Sequence, residues 1–150
     1  MKTNKHFPMF MDISKKNVLV VGGGAVATRR IKGLLPFVSN ISVVAPQMNK
    51  ELRDLGLELI EREFRIEDLN QKDIVVIASD DKILNERIAQ LCTHKEIIKN
   101  VATAPELCDF YFPGMIVGED YVIGMSSGGE SPGRTKDLRE KIQEYLQNES

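Results

Sequence analysis

The sequence has no tryptophan, two cysteines and very few aromatic residues. Its apolar runs stop at about five residues, far short of the ~20 that cross a bilayer. The opening Met1-Lys2-Thr3-Asn4-Lys5-His6 leads into no apolar stretch of the signal-peptide kind. Two cysteines make no disulfide framework, and neither a C-x-x-C pair nor an H-x-x-x-H spacing is present, so no metal site is expected. Neither sign of charge dominates: 20 Lys+Arg stand against 22 Asp+Glu, interspersed from end to end. That balance argues against a nucleic-acid polyanion as main ligand. The expectation is a protein of the cytoplasm with no membrane and no nucleic acid among its partners.

A chain of 150 residues is sized for one compact domain with a small appendage. Asn17-Val18-Leu19-Val20-Val21 is a continuous apolar run that stops at three glycines, the form of a strand buried on both faces of a parallel sheet. Ala27, Ile31, Leu34 and Leu35 then recur on one face of a helix that Pro36 ends. Further strands are expected at Ile41 to Ala45, Leu57 to Ile60, Asp73 to Ala78 and Ile97 to Val101. A short helix is expected from Asn49 to Leu55. A longer one follows Ser79-Asp80-Asp81 with Leu84, Ile88, Leu91 and Cys92 on its apolar face, where Cys92 reads as a core thiol. Strands alternating with helices at this spacing predict an α/β fold, a Rossmann-type doubly wound parallel sheet.

The texture changes near residue 113. Tyr121 to Met125 reads as a strand, Ser126 to Glu130 as a Ser/Gly loop, and Ser131 and Pro132 as the N-cap and first position of a last helix with an apolar stripe of Leu138, Ile142, Tyr145 and Leu146. A lone strand and one amphipathic helix cannot bury both apolar faces. We therefore expect residues 1–113 to form the nucleotide-binding domain, and residues 114–150 to pack on the sheet or on a second chain.

Gly22-Gly23-Gly24-Ala25-Val26-Ala27 fits G-x-G-x-x-G/A, directly after an apolar strand and opening an amphipathic helix. Gly22 suits the tight turn, Gly24 the close approach of a pyrophosphate, and Ala27 the packing of helix on strand. The end of the second strand, Val44-Ala45-Pro46-Gln47, carries neither the carboxylate that usually meets a ribose 2′-hydroxyl nor an arginine for a 2′-phosphate. The missing arginine favours NAD as the cofactor.

With these segments in view, the chain resembles the precorrin-2 dehydrogenase family, the N-terminal part of siroheme synthases. The resemblance is carried by Phe7-Pro8-Met9-Phe10-Met11-Asp12, by Val18 to Arg29, by Val43-Val44-Ala45-Pro46, by Pro105-Glu106-Leu107-Cys108-Asp109-Phe110-Tyr111-Phe112-Pro113, and by Ser126 to Pro132 with Leu138 to Ile142. It implies oxidation of precorrin-2 to sirohydrochlorin in siroheme biosynthesis, with NAD⁺ as hydride acceptor. The implied cofactor contacts are Ala25, Val26, Pro46 and Gln47 beside the glycines. The C-terminal segment is implied to make a homodimer, with segments exchanged between chains. A tetrapyrrole substrate rich in carboxylates makes Ser127, Gly128, Ser131 and Arg134 its expected anchors, helped by Lys136 and Arg139.

Two departures from the family pattern matter. The family commonly has an aspartate as fourth residue of Asn-Val-x-Asp, regarded as important for catalysis, where this chain has Asn100-Val101-Ala102-Thr103. A threonine hydroxyl is no base near neutral pH, and Asp109 is the nearest downstream carboxylate, so the catalytic group stays open. Family members also usually continue into a further helical region, which leaves open a short form, a part supplied by another chain, or a longer parent protein. The alternative reading is a dehydrogenase-deficient NAD-binding protein acting as a sirohydrochlorin ferrochelatase, or as a partner or sensor in the same pathway.

Overall fold

A computed structural model describes residues 4–150. They form two compact units: Asp12–Tyr111, and residues 4–11 together with 112–150. The division is therefore not a single cut at residue 113, because the opening segment packs with the C-terminal strands and helix. Among the described residues no helix is long and apolar enough to cross a membrane.

The larger unit is a five-stranded sheet of β1 (Val18–Val21), β2 (Ile41–Val44), β3 (Glu58–Ile60), β4 (Ile74–Ile77) and β5 (Ile98–Val101), all parallel, in the order β3-β2-β1-β4-β5. Every residue of β1, β2 and β4 is buried, which explains why β1 and β4 are unbroken Val/Ile/Leu runs and β2 departs from one only at buried Ser42. The chain steps outward from β1 through β2 to β3, then returns to place β4 on the other side of β1. That reversal is a topological switch point at the carboxyl edge between β1 and β4, where ligands of open α/β sheets bind. Register keeps this edge level, with Val21 opposite both Val44 and Ile77, and Ile77 opposite Val101.

Three helices accompany the sheet: α1 (Ala25–Leu34), α2 (Lys50–Arg53) and α3 (Lys82–His94). Leu19, Val21, Val75, Ile77 and Val101 form a core with Ile88, Ala89 and Cys92 of α3. On α1, Ala27, Thr28, Ile31 and Leu34 are buried, and Leu35 lies half exposed. The inward face of α3 includes buried Asn85 and Ala89, while Leu84 and Leu91 flank the core partly buried. The periodicity rule assigned α3 a purely apolar face and so missed a buried polar residue. α2 is a single turn, shorter than its sequence pattern, capped by Asn49. Two 3-10 turns, Ile66–Leu69 and Pro105–Leu107, have too few residues for any periodicity to reveal them.

In the smaller unit β6 (Gly114–Val117) and β7 (Val122–Met125) pair antiparallel, and α4 (Pro132–Asn148) follows. β6 was not evident from sequence, since Gly114-Met115-Ile116-Val117 is short and follows Pro113 directly. Pro132 stands in the first turn of α4, and Ser131 occupies the N-cap position but makes no side-chain cap. No residue of α4 is buried; of its expected stripe Leu138 is 48% and Tyr145 63% exposed.

The Ile66–Leu69 turn brings Leu69 into the core and is held by Asp68. Its carboxylate accepts from both terminal nitrogens of Arg62, at 2.9 and 2.6 Å, and from the Arg65 N–H at 2.8 Å. The Arg62 bonds hold the Asp68 carboxyl below its ordinary value; burial opposes them and the Arg65 N–H adds to them. A carboxyl lowered in the folded state contributes stability above the unfolded value, 3.8, and loses it as pH falls through the folded value. Asp68→Asn is expected to cost about 1 to 2 kcal/mol at neutral pH, the worth of a charge-assisted hydrogen bond. The gap between wild type and variant should close as acid protonates Asp68, which urea denaturation at pH 7 and below pH 4 will check.

Candidate dinucleotide site

The glycine turn is wedged between two neighbouring turns. Gly22 has φ +135°, and a Cβ there would lie 2.4 Å from the Ala78 carbonyl oxygen at the end of β4. At Gly23 a Cβ would lie 1.9 Å from the Gln47 carbonyl oxygen beyond β2. The Gly22 N–H donates to Val44 O (3.0 Å), the Ala78 N–H to Val21 O (2.7 Å), and the Asn49 N–H to Gly23 O (2.9 Å). Asn49 ties the assembly from the side: its Nδ2 donates to Thr28 Oγ1 (3.1 Å), and its Oδ1 caps α2 at the Leu52 N–H (2.8 Å). Thr28 in turn donates to Gly24 O (2.9 Å). Three turns from three strands are thereby fixed as one backbone surface.

Gly24 differs from its neighbours, since a Cβ there would meet nothing within 4 Å. It is the N-cap of α1, no side chain caps that end, and the first turn carries no acidic residue. The positive end of α1 and its unbonded N–H groups therefore face open space over Gly24, Ala25 and Val26. This cradle fits a pyrophosphate. Ala27 is fully buried against the sheet, as its place in the fingerprint requires, and Pro46 and Gln47 are exposed on the β2 side of the crevice.

On the other side of the crevice lie the ends of β4 and β5. Asp81 caps α3, with Oδ1 accepting from the Leu84 N–H at 3.0 Å. Asn85, 1% exposed, donates to the Ser79 carbonyl (2.8 Å) and to Thr103 Oγ1 (3.4 Å), while its Oδ1 accepts from the Ser79 hydroxyl. Thr103 itself is exposed at the rim. Asp109 is engaged elsewhere: its carboxylate accepts from the Lys99 N–H (3.0 Å) and from Lys99 Nζ (3.1 Å to each oxygen), with Lys99 buried in β5. An ion-paired carboxylate fixed to a strand is suited to clamping the Pro105 to Asp109 segment rather than to taking protons. Cys108 belongs to the same clamp, its Sγ accepting from the Val101 N–H (3.1 Å) and donating to Val101 O (3.3 Å).

Burial pushes the Cys108 thiol up, and the Cys92 thiol up to about 11. Cys92 is fully buried and protonated at neutral pH, hence a core residue. Sequence reasoning missed Asn49, Asn85 and Lys99. For Asn85 a signal existed, a polar residue beside Ile88 and Ala89 on the inward face of a helix.

The smaller unit holds a cavity of about 390 Å³ by itself. Ser127, Gly128, Ser131 and Arg134 all line it, joined by Lys5 and His6 from the opening segment. Ser126 Oγ accepts from the Gly128 N–H (3.1 Å) and lies 3.2 Å from His6 Nδ1; Ser127 Oγ accepts from the Ser131 N–H (3.1 Å). The first turn of α4 carries no acidic residue. Lys5 and Arg134 line the cavity together with one carboxylate, Glu130, so two cations stand against one anion.

The geometry separates packing from binding among the glycines. Gly23→Ala is expected to lower stability by about 3 kcal/mol, because backbone atoms must move to admit the methyl. Gly24→Ala should melt within a few degrees of wild type yet bind NADH about tenfold more weakly, equivalent to about 1.4 kcal/mol. Thermal melts and NADH fluorescence titrations distinguish the two.

Comparison with known proteins agrees with this geometry. Residues 9–114 match the model of a family described as "Putative NAD(P)-binding". A siroheme synthase of Thioalkalivibrio sulfidiphilus is 36% identical over 144 residues, 93% of this chain and 29% of the relative. One of Actinobacillus succinogenes is 37% identical over 145 residues, 94% of this chain and 30% of the relative. The chain thus spans about a third or less of the length of these curated relatives. Among solved structures, SirC, a precorrin-2 dehydrogenase, superposes with a TM-score of 0.83 at 28% identity, covering 93% of this chain and 70% of that one. With the glycine cradle at the switch point of a parallel sheet, and the family match over most of its length, the chain belongs to this NAD(P)-binding family.

Proposed function

We propose that this chain catalyses the NAD-dependent oxidation of precorrin-2 to sirohydrochlorin in siroheme biosynthesis. The observation that carries the reading is the extent of the likeness to SirC: it covers 93% of the chain, so both compact units contribute, whereas a generic nucleotide-binding fold accounts only for the larger one. Siroheme synthase relatives that match over the same extent support it.

When bound, NAD⁺ supplies the nicotinamide that accepts the hydride. The protein's share is placement. Gly24 and the N-terminal N–H groups of α1 would hold the pyrophosphate, with Gly22 and Gly23 shaping the turn beneath it, and Ala25, Val26, Pro46 and Gln47 would border the adenosine half. No arginine stands in the turn after β2 to receive a 2′-phosphate, which favours NAD over its phosphorylated form. In the smaller unit Ser127, Gly128, Ser131 and Arg134, with Lys5, anchor substrate carboxylates. Precorrin-2 gives up a hydride and a proton. With Asp109 held by Lys99 and threonine at position 103, neither residue is assigned as the group that takes the proton.

The unburied stripe of α4 is assigned to a second copy of the chain in a homodimer. A cytoplasmic setting accords with the biosynthetic role of the relatives. Thr103, standing where the family commonly has aspartate, favours a second reading in which the chain binds NAD without oxidising precorrin-2 and serves as a ferrochelatase or as a pathway partner.

Anaerobic assay of precorrin-2 with NAD⁺, following NADH and sirohydrochlorin absorbance, tests the main reading. Wild type should turn over, and Asp109→Asn should keep turnover while losing stability. Absence of turnover in wild type with NADH binding intact, and its appearance in Thr103→Asp, would transfer the assignment to the second reading. For the assembly, light scattering should give twice the chain mass, and Leu138→Glu with Tyr145→Glu should shift it to the monomer.

A further inference from the structure

The network at the ends of β4 and β5 uses a buried side chain that neither the fingerprint nor the substrate loop explains. Asn85 has every polar atom engaged: both Nδ2 hydrogens donate, one to the Ser79 carbonyl at 2.8 Å and one to Thr103 Oγ1 at 3.4 Å, and Oδ1 accepts from the Ser79 hydroxyl. Directionality follows from the atom inventory. An amide nitrogen only donates, so Thr103 Oγ1 is committed as an acceptor, and the Thr103 proton points away from Asn85. Among the described residues no acceptor takes that proton, and Thr103 is exposed. The Ser79 proton is spent on Asn85, and its oxygen accepts from the Asp81 N–H at 3.3 Å. Of the two hydroxyls, Thr103 alone presents a donor outward.

Position gives that donor a target. The Ala78-Ser79 backbone lies directly under Gly22, so the β4 turn forms one wall of the dinucleotide crevice, and Asn85 ties Thr103 to that wall. β5 lies two strands from β1, about 10 Å at the usual spacing of parallel strands. A dinucleotide crosses the switch point with its pyrophosphate over the β1 turn and its two nucleosides on opposite sides. Pro46 and Gln47 border the β2 side, which leaves the β4–β5 side for the nicotinamide half. We infer that Asn85 is a positioning residue that turns the Thr103 hydroxyl outward as a hydrogen-bond donor to an oxygen of the nicotinamide half of the bound dinucleotide.

The test uses the cofactor alone, so it stands whether or not the chain oxidises precorrin-2. NADH and ADP are titrated against wild type, Thr103→Ser and Thr103→Val, since ADP lacks the nicotinamide half. Thr103→Val should bind NADH about tenfold more weakly, the scale of one hydrogen bond, with ADP unchanged, and Thr103→Ser should restore NADH to within about twofold. Asn85→Leu, where it folds, should lose NADH affinity likewise, and adding Thr103→Val to it should cost less than about twofold more, the non-additivity of a shared interaction. Unchanged NADH affinity in Thr103→Val, an equal loss for ADP, or failure of serine to rescue would each overturn the inference.

Discussion

The contact on which the site depends is between backbones: the glycine turn after β1 touches the turn after β4 through Gly22 and the turn after β2 through Gly23. No side chain of any size fits either gap. The reason lies in the sheet, whose parallel neighbours end level with one another, so that the turns leaving them compete for the same few ångströms. Glycine resolves the competition, and the space left free falls over Gly24 and the start of α1. The cradle is thus a by-product of how three strands finish together, with hydrogen bonds from Asn49 and Thr28 holding the arrangement.

Around that contact the polar side chains divide into those that hold shape and those free to meet a ligand. Lys99, Asp109 and Cys108 are spent on fastening the segment after β5 to the strand itself. Asp81 is spent on a helix cap. Gln47 on one side and Thr103 on the other are neutral and exposed, and Asp80 beside them is the exposed carboxylate of the β4 turn, so on these two flanks the larger unit offers a dinucleotide hydrogen bonds and a helix dipole. The cationic side chains suited to a carboxylate-rich ligand gather instead in the smaller unit, at Lys5 and Arg134.

The smaller unit illustrates the limit of size. Two short strands and one helix have too little volume for an interior, and Ile116 is their one buried hydrophobic residue among those described. Its helix keeps an apolar stripe at Leu138 and Tyr145 exposed, a pattern that makes physical sense as a surface for another protein face.

Sequence by itself determined the central strands β1 and β4, because burial on both faces writes an unbroken apolar run, and it determined the dinucleotide turn, because only glycine tolerates those close approaches. It also located α1, α3 and α4 through apolar spacing. Tertiary structure alone decided which polar groups are free. Asp109 reads as an available carboxylate until Lys99, ten positions away, is seen to hold it. Asn85 shares a helix face with Ile88 and Ala89 in the sequence, but only the packing of α3 shows that it bridges Ser79 and Thr103. Lys5 and His6 join the Ser126 to Ser131 loop across some 120 residues of chain. Hydrogen bonds between distant segments leave no periodic trace, since they are set by where a packed helix or strand places a side chain and not by the spacing that made it fold.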